Sequence, residues 1–148
     1  MASQDTVAGV MEFLASYTTA FEVYDTKAIV DHYVFPCTII GDAETLSPLT
    51  FKAPEQLSAG VDYILSLHRE IGVRTLQPML LEITEFSPRL AGMMIRTRFR
   101  DEHGKALYDF QGFYSLARTE AGCRILAISH NQLPRLLACA GRPSIPIT

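Results

Sequence analysis

Met93-Met94-Ile95-Arg96-Thr97-Arg98-Phe99-Arg100, followed after a short polar turn by Leu107-Tyr108-Asp109-Phe110-Gln111-Gly112-Phe113-Tyr114, decides the fold. Both halves alternate with a period of two, the mark of a strand with unlike faces. Met93, Ile95, Thr97 and Phe99 share one face, and Met94, Arg96, Arg98 and Arg100 the other. In the second half Tyr108, Phe110, Gly112 and Tyr114 oppose Leu107, Asp109, Gln111 and Phe113. The turn Glu102-His103-Gly104-Lys105 is short enough for a hairpin. Pairing Phe99 with Tyr108 and Thr97 with Phe110 keeps the apolar side chains together, and sets Arg98 beside Asp109 and Arg96 beside Gln111.

The same alternation extends to strands at 75–86 and 123–132, joined through Ser87-Pro88-Arg89 and Thr119-Glu120-Ala121-Gly122. Carried backwards, it puts Met79, Leu81 and Ile83 on the apolar face. Carried forwards, it puts Ser129 beside Gly112, Asn131 beside Phe110, and His130 beside Gln111 on the mixed outer face. Upstream the period is helical. Residues 6–24 form a helix capped by Asp5, with a stripe of Val7, Val10, Met11, Leu14, Thr18 and Phe21 widened by Phe13, Tyr17, Ala20 and Tyr24. A shorter helix covers 26–34 and ends before Pro36. Cys37-Thr38-Ile39-Ile40 reads as a short strand and 43–52 as a loop. A third helix opens at Pro54, carries Leu57, Val61, Ile64, Leu65, His68 and Ile71, and stops at Gly72. The expected fold class is α+β: three N-terminal helices packed into the hollow of a curved antiparallel sheet. Residues 1–148 read as one domain with its core at about 6–133 and a loose tail at 141–148.

Composition narrows the function classes. The 148 residues are 48% hydrophobic and 20% charged, a globular balance. A net charge of −3 argues against a nucleic-acid partner. No apolar run is long enough to span a bilayer, and the start lacks the basic and apolar regions of a signal peptide, so a cytoplasmic setting is expected. Cys37, Cys123 and Cys139 form no disulfide framework, and the four histidines show no metal-ligand spacing. Neither a metal nor a cofactor is expected.

The element order, with Tyr24-Asp25-Thr26-Lys27-Ala28-Ile29-Val30 running into Cys37-Thr38-Ile39-Ile40 and Phe113-Tyr114-Ser115-Leu116-Ala117-Arg118 leading to Gly122-Cys123-Arg124-Ile125, resembles the nuclear-transport-factor-2-like superfamily. The resemblance implies a cystatin-like cone, often dimeric, with a pocket between sheet and helices. Its members include ketosteroid isomerases, SnoaL-like cyclases, scytalone dehydratases and limonene epoxide hydrolases, so it implies no single reaction. In the isomerases an oxyanion-holding tyrosine sits on the first helix and a catalytic carboxylate ends the first strand. Tyr17 is similar to that tyrosine. The spacing puts the carboxylate's position at Gly41, with Asp42 one residue on and facing the other way unless a bulge intervenes. Arg98 and Asp109 imitate part of the epoxide hydrolases' Asp-Arg-Asp group, but on the opposite face of the sheet.

Three residues are candidates for acid–base work: Tyr17 as a hydrogen-bond donor, and Asp42 or His68 as the proton carrier. Each has a plain alternative: a tethered core tyrosine, a turn residue, a satisfied core histidine. Thr97, Tyr108, Gly112, Ser129 and Asn131 form a mid-sheet patch of small and polar side chains that suits a ligand cavity, unless Phe13 or Phe21 fills it. Arg96, Arg98, Asp109, Gln111 and His130, among Met94 and Phe113, suit a homodimer interface on the outer face. The expected function is therefore a small-molecule-binding domain, enzymatic on an apolar carbonyl-bearing ligand, or else a non-enzymatic dimeric module with a filled pocket.

Overall fold

The computed structural model describes residues 2–142 and is α+β, with helices packed against a curved, unclosed sheet of six strands. Helix α1 (Gln4–Glu22) is capped by Ser3, whose hydroxyl accepts from the Thr6 amide; Asp5 lies in the first turn, where its charge favours the helix dipole. Its buried side is Val10, Phe13, Leu14, Tyr17, Ala20 and Phe21, whereas Val7 and Met11 are exposed. The stripe is thus rotated from the expected one, because the aromatic residues, with more surface to bury, take the core. Helix α2 (Thr26–Val30) is shorter than expected; its chain turns at Asp31 and His32 and enters β1 at Tyr33. Helix α3 (Pro54–Ile71) ends on Gly72, which adopts φ 84°, as its C-terminal position requires.

Strand β1 (Tyr33–Asp42) forms a hairpin with β2 (Leu46–Phe51), which replaces the expected loop. β2 lies at the sheet edge, where a missing N–H is tolerated, so Pro48 did not prevent a strand. The meander follows as β3 (Thr75–Ser87), β4 (Leu90–Arg100), β5 (Ala106–Thr119) and β6 (Gly122–His130), in the order β2-β1-β6-β5-β4-β3. β1 runs parallel to β6, so the sheet is mixed rather than antiparallel throughout. A fourth helix, α4 (Gln132–Cys139), was not expected. It buries Leu136 and Leu137, and Arg135 ties it to Asp109 on β5 at 3.0 Å. Arg142 meets Glu70 at 2.6 Å; from residue 143 on, the predicted tail lies outside the described residues.

The β4–β5 register is the one the alternation gives: Phe99 pairs with Tyr108, Thr97 with Phe110, Arg98 with Asp109 and Arg96 with Gln111. Bulges change the flanking strands. In β3 the ladder shifts between Leu80 and Glu82, so Ile83 keeps the inner face, Met79 pairs with Arg96 on the outer face, and Leu81 is exposed. In β6 Leu116 pairs with Ile125 but Ser115 pairs with Ala127, leaving Leu126 as an extra residue. Beyond it every side chain changes face. Gly112 therefore pairs with His130, not Ser129, and His130 joins the interior while Ser129 becomes exposed.

Candidate functional site

Helices and sheet enclose a largely apolar cavity of about 280 Å3. Leu14, Tyr17 and Phe21 of α1 form one wall, Val61 and Ile64 of α3 another, and Met93, Ile95, Thr97 and Phe99 of β4 the floor. Leu133 and Leu137 of α4 close one end. Lining residues that are also exposed (Asp42, Ala43, Leu49, Gly60 and Tyr63) mark the mouth, between the β1–β2 hairpin and α3. Among the described residues the lining has no Lys or Arg, and its sole carboxylate is Asp42.

At the inner end Tyr17 and Tyr33 share a 2.7 Å hydrogen bond between hydroxyls. One of the two protons makes that bond, so the pair retains one further donor. The Tyr17 ring stacks on Phe13 and meets Phe21, His32 and Tyr114 edge-on. Burial pushes the Tyr17, Tyr33 and Tyr114 hydroxyls well above the usual phenol range, so all three remain protonated donors.

Nearer the mouth, one row of the sheet has an unusual composition. Ser47 pairs with Gly41, Gly41 with His130, and His130 with Gly112, and paired residues in a sheet share a face. His130 thus stands between two glycines on the cavity side. Its Nδ1 accepts the Gln132 backbone N–H at 3.0 Å, so the neutral ring carries its proton on Nε2. Burial lowers its pKa to about 4, which keeps the ring uncharged at neutral pH. The two flanking glycines differ. A Cβ on Gly112 would lie 2.8 Å from Cε1 of Tyr114, whose ring leans over the glycine; a Cβ on Gly41 would meet nothing nearer than the Ser47 carbonyl oxygen at 4.0 Å.

The candidate residues are divided by this geometry. Tyr17, Asp42 and Thr97 line the cavity, with Asp42 at its rim. His68 does not line it: the ring is sealed among Phe21, Phe99 and Tyr108, with Nε2 2.6 Å from the Tyr108 hydroxyl. Gln132 Nε2 donates to the same hydroxyl at 3.2 Å, and His68 Nδ1 is buried without a partner. Burial lowers the His68 pKa to about 4. Tyr108 is therefore a core residue, stacked on Phe99 at 4.4 Å. The Asn131 side-chain oxygen accepts the Gln111 backbone N–H at 3.0 Å at the β6–α4 corner. Gly112 faces inward under Tyr114, and Ser129 faces out. Of the interface candidates, Arg96, Arg98, Asp109 and Gln111 lie on the outer face, where Arg98 is 3.8 Å from Asp109; His130 does not.

Sequence reasoning missed Ser47 and His130 as cavity residues; Gly41 does line the cavity, at the position where the isomerase resemblance puts the carboxylate. One signal was available: Ile125-Leu126-Ala127-Ile128 is an unbroken apolar run, a break in alternation that a bulge produces.

A family model described as NTF2-like protein (DUF6841) matches residues 5–132. The chain belongs to this NTF2-like family. Solved structures agree on the fold. A domain of unknown function with a cystatin-like fold from Nostoc punctiforme superposes with a TM-score of 0.68 at 13% identity, covering 88% of this chain and 79% of that one. An NTF-2 like protein of unknown function from Shewanella oneidensis gives 0.67 at 12% identity, covering 85% and 98%. A ketosteroid isomerase-like protein from Erwinia carotovora gives 0.63 at 15% identity, covering 88% and 98%. No curated protein matches the sequence. Among the described residues of this NTF2-like chain, no helix is long and apolar enough to cross a membrane, and no three His, Cys, Asp or Glu side chains gather to hold a metal.

Proposed function

We propose that this NTF2-like domain binds a small, uncharged, mainly apolar molecule that carries a hydrogen-bond acceptor such as a carbonyl oxygen. The observation that carries this is the cavity wall: apolar side chains, with fixed donors at the Tyr17–Tyr33 pair and at His130 and no cation. Apolar area gives affinity and a few placed polar groups give orientation. The volume is that of about nine liquid waters, the scale of a two-ring compound. Proton transfer on such a ligand needs a base, and Asp42 at the mouth is the lining's one carboxylate.

A matched pair of probes tests the proposal. 2-Acetylnaphthalene and 2-ethylnaphthalene have nearly the same shape, but only the first accepts a hydrogen bond. The ketone is expected to bind about three- to tenfold more tightly, the net value of one neutral hydrogen bond. Failure of both probes to bind, or equal affinity for the two, contradicts it.

The outer sheet face supports a second, compatible reading as a homodimer interface. Phe113 is 43% exposed there, and the face carries both charge signs at Arg96, Arg98 and Asp109, so a second copy meets no single-sign field. Phe113→Asp is expected to convert a dimer to monomer in sedimentation velocity; a wild-type monomer at high micromolar concentration contradicts the proposal.

A further inference from the structure

We infer that the ligand's acceptor atom sits in the notch above Gly41, between His130 and Ser47. This rests on the cavity's being a ligand site and assigns the end of it that reads the polar group.

Among the donors that line the cavity, the Tyr17–Tyr33 pair and His130 are the two held by a named hydrogen bond, and these two stations are not equivalent. The tyrosine station is packed shut: Tyr17 and Tyr33 are each 9% exposed, Tyr114 5%, and aromatic rings surround Tyr17. An acceptor there must displace ring contacts. The His130 station has space already provided. Gly41 and Gly112 remove the side chains on both sides of the histidine, and Tyr114 refills only the Gly112 side. The open side ends at Ser47, a buried residue on the inner face of the edge strand. The Gln132 backbone N–H holds His130 Nδ1 and so fixes the ring and directs its one proton to Nε2, a donor that this backbone contact leaves available. Ser47 brings a hydroxyl that rotates to give a second hydrogen bond. The notch also adjoins the mouth, since Asp42 is the next residue of β1. A neutral acceptor fits this notch, because a bare imidazole N–H and a hydroxyl carry no charge to balance a carboxylate or phosphate. The class implied is an aryl or alicyclic ketone, or an ester, with its oxygen toward the hairpin and its ring system toward α1.

The same two naphthalenes test the notch in variants. His130→Phe keeps a ring in place and removes the donor, so the ketone preference is expected to fall to near unity while 2-ethylnaphthalene binding holds. Gly41→Val fills the notch without a positive-φ penalty; ketone affinity is expected to fall at least fivefold, more than the ethyl compound's. Ser47→Ala should remove part of the preference, and Lys27→Ala on the exposed side of α2 none. Melting curves accompany each variant, and His130→Phe and Gly41→Val perturb different strands, so one folding defect cannot remove both tests. Preference that persists in His130→Phe but vanishes in Tyr17→Phe or Tyr114→Phe overturns the notch and leaves ligand binding intact. Absence of binding to the wild type overturns the ligand reading itself.

Discussion

Gly41 and Gly112 flank the same histidine in one row of the sheet, yet the space above them is used oppositely. Over Gly112 the Tyr114 ring lies where a Cβ would come within 2.8 Å; over Gly41 a Cβ has 4.0 Å of clearance. His68 and His130 differ in the same way. Both have pKa values lowered to about 4 by burial, but His68 is closed in by Phe21, Phe99 and Tyr108 while His130 lines the cavity. A small or polar residue on an inner face therefore marks a site only where no neighbour occupies the volume beside it. Glycine and histidine are ambiguous until the packing around them is known.

The largest effect expected from this contrast is on acid stability. A buried neutral histidine binds fewer protons folded than unfolded between its native pKa of about 4 and the unfolded value near 6.5. Stability is then full above about pH 6.5 and declines as pH falls toward 4. For His68 the loss is about 2–3 kcal/mol. Urea unfolding across pH 4–7 should show this slope summed over His68 and His130, and His68→Gln should remove about half of it; an unchanged slope in the variant would place His68 in a solvated setting. The next effect separates the glycines. Gly112→Val forces the Tyr114 ring aside and should cost about 1–3 kcal/mol. Gly41→Val, in open space on a strand, should stay within about 1 kcal/mol of wild type. Equal losses would erase the contrast. Tyr17→Phe comes third: it removes the hydroxyl pair with Tyr33 and should cost about 1 kcal/mol in urea unfolding. The smallest is Arg135→Ala, where a half-exposed ion pair with Asp109 contributes at most about 1 kcal/mol. Its effect should appear as faster amide exchange in α4 rather than as a lower melting point.

How far the sequence reaches depends on where alternation stays unbroken. From Leu90 to Tyr114 no residue is inserted on the inner face of the hairpin apart from the irregularity by Arg100, and the pairings of Phe99, Arg98, Thr97 and Arg96 follow directly from the period. At Leu126 one extra residue reverses everything downstream, which moved Ser129 out and His130 in. The same happened to Met79 and Leu81 at the β3 bulge. Local chemistry hid two elements. Pro48 is a strand breaker except at an edge, and edge position is a property of the whole sheet. Pro134 falls early enough in an eight-residue helix, Gln132–Cys139, to need no amide there, but the expected strand ran to 132 and the residues after it were assigned no element. Tyr17 was legible as an inward-facing residue because it widened the apolar stripe of α1, although the stripe's own Val7 and Met11 are exposed. Its bond to Tyr33 was not, because it joins residues whose meeting depends on how α1 crosses β1.

The central claim is that the Leu126 bulge turns His130 into the cavity as an Nε2-protonated donor. Long-range 1H–15N spectra of the four histidine rings, recorded during titration with 2-acetylnaphthalene, test it most directly. His130 should show the Nε2–H tautomer at pH 7, and its Nε2 resonance should move to saturation with the ketone while the exposed His103 ring stays fixed. A His130 resonance that remains still while the ketone saturates the protein would contradict the account.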